Sequence, residues 1–68
     1  MAKVFKSLEL VGVSPSSFDE AVRVAVKRAG ESMRDLRWLE VMDQRAYIKG
    51  AEVEEFQVTV RIWFELSE

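Results

Sequence analysis

The sequence predicts an α+β fold in which a three-stranded antiparallel sheet packs on a single helix. Three observations predict it: periodic segments in the order strand, helix, strand, strand; an apolar stripe at helical spacing; and apolar and polar residues that alternate near the C-terminus. A helical crossover returns the second strand parallel to the first, so a third strand placed between them makes every pairing antiparallel. The helix then covers one face of the sheet and leaves the other face open.

The chain is short enough to be one domain over residues 1–68. A domain of this length buries only about 60% of the surface that its unfolded chain exposes. The sequence contains no Cys and no His, so neither a disulfide nor a zinc site can add stability. Association with further copies of the chain is therefore the expected source of stability.

Composition and charge exclude several classes of partner. The chain is 49% hydrophobic and 32% charged, which is typical of a globular protein. Its net charge is −2 with both signs interspersed, so we expect no nucleic-acid partner. No apolar run approaches the length of a membrane span, and the N-terminus lacks the apolar region of a signal peptide. We therefore expect no membrane association and a cytoplasmic location.

The first strand is predicted from Lys3 to Val13, and the helix that follows has two alternative starts. Ser14 can act as the N-cap with Pro15 at the first helical position. Ser17 and Glu20 can instead form a capping box one turn later. The two alternatives differ by three residues.

An apolar stripe predicts which side of the helix faces the sheet. Its members recur at helical spacing and are Phe18, Ala21, Val22, Ala25, Val26, Ala29 and Met33. Because Met33 belongs to the stripe, we expect the helix to continue past Gly30.

The second half of the chain predicts a hairpin. One strand runs from Leu36 to about Ile48, residues 49–52 form the turn, and the last strand runs from Val53 to Leu66. The residues of the last strand that should face the helix are Phe56, Val58, Val60, Ile62, Phe64 and Leu66. The opposite parity is polar except for Trp63.

Trp38 is the main candidate binding residue. If Leu39 and Val41 point into the core, alternation sends Trp38 to the open face of the sheet, together with Gln57 and Trp63. A large indole on such a face stacks either on another chain or on a flat ligand. The pattern alone leaves both alternatives open.

Catalysis and metal binding have little support in the sequence. Without His, Cys or a serine nucleophile motif, we predict no catalytic residue and no enzyme activity. The carboxylates that could form an acid pair or a magnesium site are Glu40, Asp43, Glu52, Glu54 and Glu55. Their spacing follows no ligand pattern, so we interpret them as solvated charges and predict no metal site.

Several short motifs share a specific joint spacing over essentially the whole chain. They are Leu10-Val11-Gly12 before Ser14, Arg37-Trp38-Leu39-Glu40-Val41, Arg45, Glu55-Phe56-Gln57-Val58, and Phe64-Glu65-Leu66. With this spacing the sequence resembles the dodecins, a family of small flavin-binding proteins.

The resemblance implies a β-α-β-β protomer assembled into a hollow homododecamer. Pairs of flavins, FMN or riboflavin, would be held between tryptophans of neighbouring chains for storage and for protection against photochemistry. Trp38 would stack on the isoalloxazine, Gln57 would hydrogen-bond its polar edge, and Arg45 would lie near the ribityl and phosphate end.

Some positions depart from the pattern of the family. Glu65 stands where some bacterial members carry a basic residue, which argues against a coenzyme A ligand. Ala46 replaces a common glycine, whereas Asp43-Gln44 resembles the archaeal branch. Trp63 is bulkier than the small residue that is usual at its position. A ligand-free oligomeric structural or interaction module, with Trp38 as an interface residue, is the alternative function.

Strand geometry adds a constraint on the candidate site. A turn centred near Gly50 places Gln57 opposite Asp43, roughly 15 Å along the strand from Trp38 at ~3.3 Å per residue. We therefore expect Trp38 and Gln57 to reach one flavin from different subunits, unless a bulge shortens the path. Arg45 lies at odd spacing from Trp38, on the opposite face of an ideal strand, and needs a bulge, a strand end or another subunit to join them.

Overall fold

The computed structural model describes residues 2–66 and places four elements in them. Their order is β1 (Phe5–Ser14), α1 (Phe18–Ser32), β2 (Leu36–Lys49) and β3 (Glu52–Glu65). β3 lies between β1 and β2 and pairs antiparallel with both, which confirms the predicted fold class. Among the described residues, no helix is both long and apolar enough to cross a membrane.

The helix start agrees with the second of the two alternatives, the cap at Ser17. Ser17 is the N-cap of α1, and its Oγ accepts a hydrogen bond from the backbone N–H of Glu20 at 3.0 Å. Ser14 as N-cap is therefore wrong: it is the last residue of β1 and pairs with Phe56, so its backbone is extended. Its buried Oγ accepts from the N–H of Ser16 at 3.0 Å instead.

The helix packs across β1 and β3 through small residues. The buried apolar side chains among residues 2–66 are Ala21, Ala25, Ala29, Val58, Val60 and Ile62. A Cβ on Gly12 would overlap the carbonyl oxygen of Ala21 and lie 3.1 Å from Cβ of Ala25. Glycine at position 12 is therefore required for the close approach of α1 to β1. As predicted, the helix passes through Gly30 and ends at Ser32.

The hairpin closes through Gly50 and Ala51, with Lys49 paired to Glu52. Gly50 has a φ of 66°, which glycine adopts without strain at the first position of a tight turn. The two strands joined by this turn, β2 and β3, are each 14 residues long.

Three bulges interrupt the pairing of β2 with β3. The register shifts between Leu36 and Trp38, between Val41 and Asp43, and between Tyr47 and Ile48. The unpaired extra residues are Arg37, Met42 and Glu54. Each bulge reverses the parity of the strand beyond it.

We call the side of the sheet opposite α1 the open face. On β3 it carries the odd-numbered residues from 55 to 65, and β2, at the edge of the sheet, is mostly exposed on both sides. The large apolar side chains that remain exposed are Val4, Val11, Val13, Val24, Trp38, Val41, Met42, Tyr47, Ile48, Val53 and Leu66. The isolated protomer thus leaves much apolar surface in contact with water.

Candidate functional site

An aromatic cluster of Phe5, Trp38 and Trp63 lies on the open face. Trp38 and Trp63 are direct cross-strand partners, with ring centroids 6.2 Å apart and planes inclined by 28°. The ring of Phe5 is 4.8 Å from that of Trp38 and inclined by 46°. Trp38 nevertheless remains 50% exposed. The assignment of both tryptophans to the open face is confirmed, and Trp38 offers accessible aromatic surface at the edge strand.

Charged residues border the aromatic cluster on the side nearer the hairpin turn. Nε1 of Trp63 donates to Oε1 of Glu40 at 3.0 Å, so the polar atom of the indole has a partner. Arg61 is the cross-strand neighbour of Glu40 and lies 3.9 Å from a carboxylate oxygen of Glu9. The carboxylate that holds Trp63 is thus next to a cation.

Gln57 belongs to a hydrogen-bonded group that we call the Gln57 network, formed with Arg45 and Glu55. Nε of Arg45 donates to Oε1 of Gln57 at 2.6 Å, and Nε2 of Gln57 donates to Oε1 of Glu55 at 2.9 Å. The amide orientation is therefore defined by its neighbours. One lone pair of the oxygen and one N–H remain for a ligand.

The structure corrects the predicted partner of Gln57. Gln57 pairs with Arg45, and Asp43 pairs with Thr59. The prediction was wrong by two residues because the hairpin closes through a two-residue loop and the bulge at Glu54 adds a further shift.

The bulge at Met42 also explains the position of Arg45. An ideal strand would send this side chain to the helix side, whereas the extra residue returns it to the open face, where Trp38 lies. A bulge was one of the three conditions under which Arg45 could join the site.

The aromatic cluster and the Gln57 network are far apart within one chain. Along β3 the pairing with β1 is regular from Gln57 to Trp63, so the two residues are separated by about 20 Å at ~3.3 Å per residue. The bulge at Met42 does not shorten this path, because β3 has no extra residue there. A single ring system can contact both groups only if they come from different chains.

Sequence reasoning missed three contributors to these groups. Phe5 packs on Trp38, Glu40 holds Trp63, and Glu55 holds the amide of Gln57. The parity of the first strand could have placed Phe5 on the open face, but Glu40 and Glu55 required the cross-strand register. Among residues 2–66, no group of three or more acidic, His or Cys side chains could hold a metal ion.

The fold and the open face define a small β-α-β-β protein that presents aromatic and amide groups on the uncovered side of its sheet. The family model described as Dodecin matches residues 4–67. The chain belongs to the dodecin family.

Relatives and solved structures agree with this assignment. The dodecin of Thermus thermophilus is 41% identical over 68 residues, covering 100% of this chain and 99% of the relative. A calcium dodecin of Mycobacterium tuberculosis is 34% identical over 64 residues, covering 94% of this chain and 84% of the relative. A Thermus thermophilus crystal structure superposes with a TM-score of 0.94 at 40% identity, covering 98% of each chain. The structure of the Streptomyces coelicolor dodecin superposes with a TM-score of 0.93 at 39% identity, covering 97% of this chain and 94% of that one.

Proposed function

We propose that the protein binds a flavin, FMN or riboflavin, by stacking its isoalloxazine ring on Trp38. The half-exposed indole of Trp38 on the open face of a dodecin-family protomer is the observation that carries the proposal. An indole and an isoalloxazine both offer flat π-faces, and stacking contributes about 0.5–1.5 kcal/mol beyond the burial of area.

Gln57 binds the polar edge of the flavin from a neighbouring subunit. The support is the separation of about 20 Å between Gln57 and the aromatic cluster within one chain. A carboxamide can donate to and accept from the edge of the ring, and each of its two ends keeps one free position. Arg45 positions the amide oxygen and lies toward the ribityl and phosphate end.

The flavin site requires assembly, for which we propose a hollow homododecamer of single-domain chains. The exposed apolar residues of the open face and of β2 supply the surface that association would bury. Pairs of flavins would then lie between Trp38 side chains of neighbouring subunits.

The proposed role is storage of flavin and protection against its photochemistry in the cytoplasm, without enzyme activity, nucleic acid or membrane partners. Coenzyme A is not expected, because Glu65 supplies no cation for a phosphate and its carboxylate already pairs with the guanidinium of Arg37 at 3.1 Å. The mycobacterial relative is named a calcium dodecin. We favour flavin over calcium here because the exposed indole suits a flat ring and cannot ligate a hard cation.

Titration of purified protein into micromolar riboflavin or FMN tests the proposal. Flavin fluorescence should be lost on binding, and Trp38→Ala should abolish the loss while the particle keeps its size on gel filtration. Val24→Ala, on the exposed side of α1, is the matched control and should quench like the wild type. If micromolar wild-type protein leaves the fluorescence unchanged, the ligand-free structural or interaction module replaces flavin binding.

A further inference from the structure

We propose that Trp63 is a second stacking residue for the flavin bound at Trp38 and that Glu40 is the positioning residue that orients it. The proposal rests on the proposed function and deepens it, because it assigns a role in ligand selection to residues outside the Trp38, Gln57 and Arg45 set.

The geometry of the two indoles makes them one surface. Direct overlap of two rings would put their centroids about 3.5–4 Å apart. At 6.2 Å and 28°, Trp38 and Trp63 are displaced from such overlap, so each leaves part of its ring uncovered by the other. On the other side of Trp63, β1 contributes the small Ser7. A three-ring ligand centred on Trp38 therefore has aromatic surface available across both strands.

Glu40 determines how the ring of Trp63 lies. The carboxylate accepts the indole N–H at 3.0 Å from the next row of the sheet, which draws the ring toward the hairpin and away from full overlap with Trp38. An ionised acceptor also polarises the indole and increases its electron density, which favours contact with an electron-poor isoalloxazine. Arg61 lies directly opposite Glu40, and its guanidinium is 3.9 Å from the carboxylate of Glu9.

The extended surface selects for ring size. A two-ring pteridine can be covered by the indole of Trp38 alone, whereas a three-ring isoalloxazine reaches beyond it. Trp63 should therefore contribute to the affinity for flavins and very little to the affinity for lumazine, a two-ring probe with a similar polar edge.

Dissociation constants of riboflavin and lumazine for the assembled protein and its variants test this assignment. Trp63→Ala should weaken riboflavin binding by about tenfold and lumazine binding by less than about twofold. Trp63→Phe keeps an aromatic side chain and should disturb folding less than alanine does. Its loss of riboflavin affinity should be intermediate. Glu40→Gln, whose carboxamide oxygen still accepts from Nε1 but carries no charge, should lose less riboflavin affinity than Glu40→Leu, which should resemble Trp63→Phe.

A second readout needs no ligand. The two coupled indoles should give an exciton couplet in the circular dichroism of the flavin-free protein, which Trp63→Phe removes and Glu40→Leu alters. Unchanged or tighter riboflavin binding by Trp63→Ala, or equal losses for riboflavin and lumazine, would overturn the role of Trp63 and leave flavin binding at Trp38 intact. If the wild-type protein binds no flavin, both flavin binding at Trp38 and the role of Trp63 are overturned. The wild type and Trp38→Ala would then give the same titration.

Discussion

Gln57 presents its carboxamide in one orientation because neighbours hold both ends of the amide. Arg45 donates to the oxygen at 2.6 Å and Glu55 accepts from the nitrogen at 2.9 Å, and all three side chains lie at the open face. An amide that is fixed before a ligand arrives loses less entropy on binding than a free one. Arg45 can thus act on a flavin through Gln57 without contacting the ring.

Arg45→Ala distinguishes this indirect role from direct binding of phosphate. If Arg45 acts by orienting Gln57, the variant should lose roughly threefold to tenfold in affinity, equally for riboflavin and FMN, because one hydrogen bond is worth about 0.5–1.5 kcal/mol. The measurement is a parallel titration of both flavins by fluorescence. Arg28→Ala, which removes an exposed arginine of α1, is the control and should change neither constant. A loss confined to FMN would contradict the indirect role.

At the level of elements, the contact between α1 and β1 depends on the absence of a side chain at Gly12. Gly12→Ala would drive a Cβ into the backbone of Ala21, and backbone cannot rotate away as a side chain can. We expect a loss of at least about 1–3 kcal/mol in the free energy of unfolding, measured in urea at fixed protein concentration.

Gly30→Ala is the matched control for this prediction. A Cβ at Gly30 meets only Cδ1 of Leu36 at 3.9 Å, an ordinary contact, and position 30 lies within α1. The higher helix propensity of alanine should raise the free energy of unfolding of this variant by about 0.5–1 kcal/mol. Equal destabilisation by both variants would show that the close approach at Gly12 is not the cause.

The N-cap at Ser17 gives a second prediction for α1. Ser17→Ala removes the acceptor for the N–H of Glu20 and should cost about 1 kcal/mol of stability in the same urea experiment. Ser16→Ala is the control, because Ser16 contributes only its backbone N–H to the bond with Ser14, and alanine retains it. Comparable losses from the two changes would argue against Ser17 as the cap.

The elements themselves could be predicted from the sequence because each has a strong local signal. The stripe from Phe18 to Met33 predicts one face of a helix, and the alternation of β3 predicts its buried parity, which Val58 and Ile62 confirm. Ser14 and Ser17 both carry cap signals, and the pairing of Ser14 with Phe56, which no local signal predicts, excludes Ser14.

The arrangement of the candidate site was less predictable, since it depends on bulges. An extra residue such as Met42 or Glu54 has no local sequence signal, because it is defined by what the partner strand lacks. One such residue moves Arg45 from one face of β2 to the other. The assignment of Trp38 to the open face was correct, whereas the partner of Gln57 was not.

The whole molecule combines a small core with an extensive exposed apolar surface. The buried side chains are mostly alanine and valine, which bury little area, while residues such as Ile48 and Val11 remain more than half exposed. Because the buried area is limited, we expect the folded protomer to depend on its neighbours for stability.

This dependence should be visible in thermal unfolding. If folding is coupled to assembly, the midpoint temperature should rise with protein concentration by mass action. Differential scanning calorimetry over a hundredfold range of concentration is the measurement. A constant midpoint, together with a particle of 7.9 kDa, would mean that the single chain is stable alone.

Gel filtration with simultaneous light scattering and visible absorbance tests flavin binding by the assembled protein most directly. With added riboflavin, flavin absorbance should co-elute, at one flavin per chain, with a particle of twelve 7.9 kDa chains, about 95 kDa in all. Trp38→Ala should keep the mass and lose the absorbance. A flavin-free particle at micromolar concentrations, or flavin bound to a single chain, would contradict a site built on Trp38 between subunits.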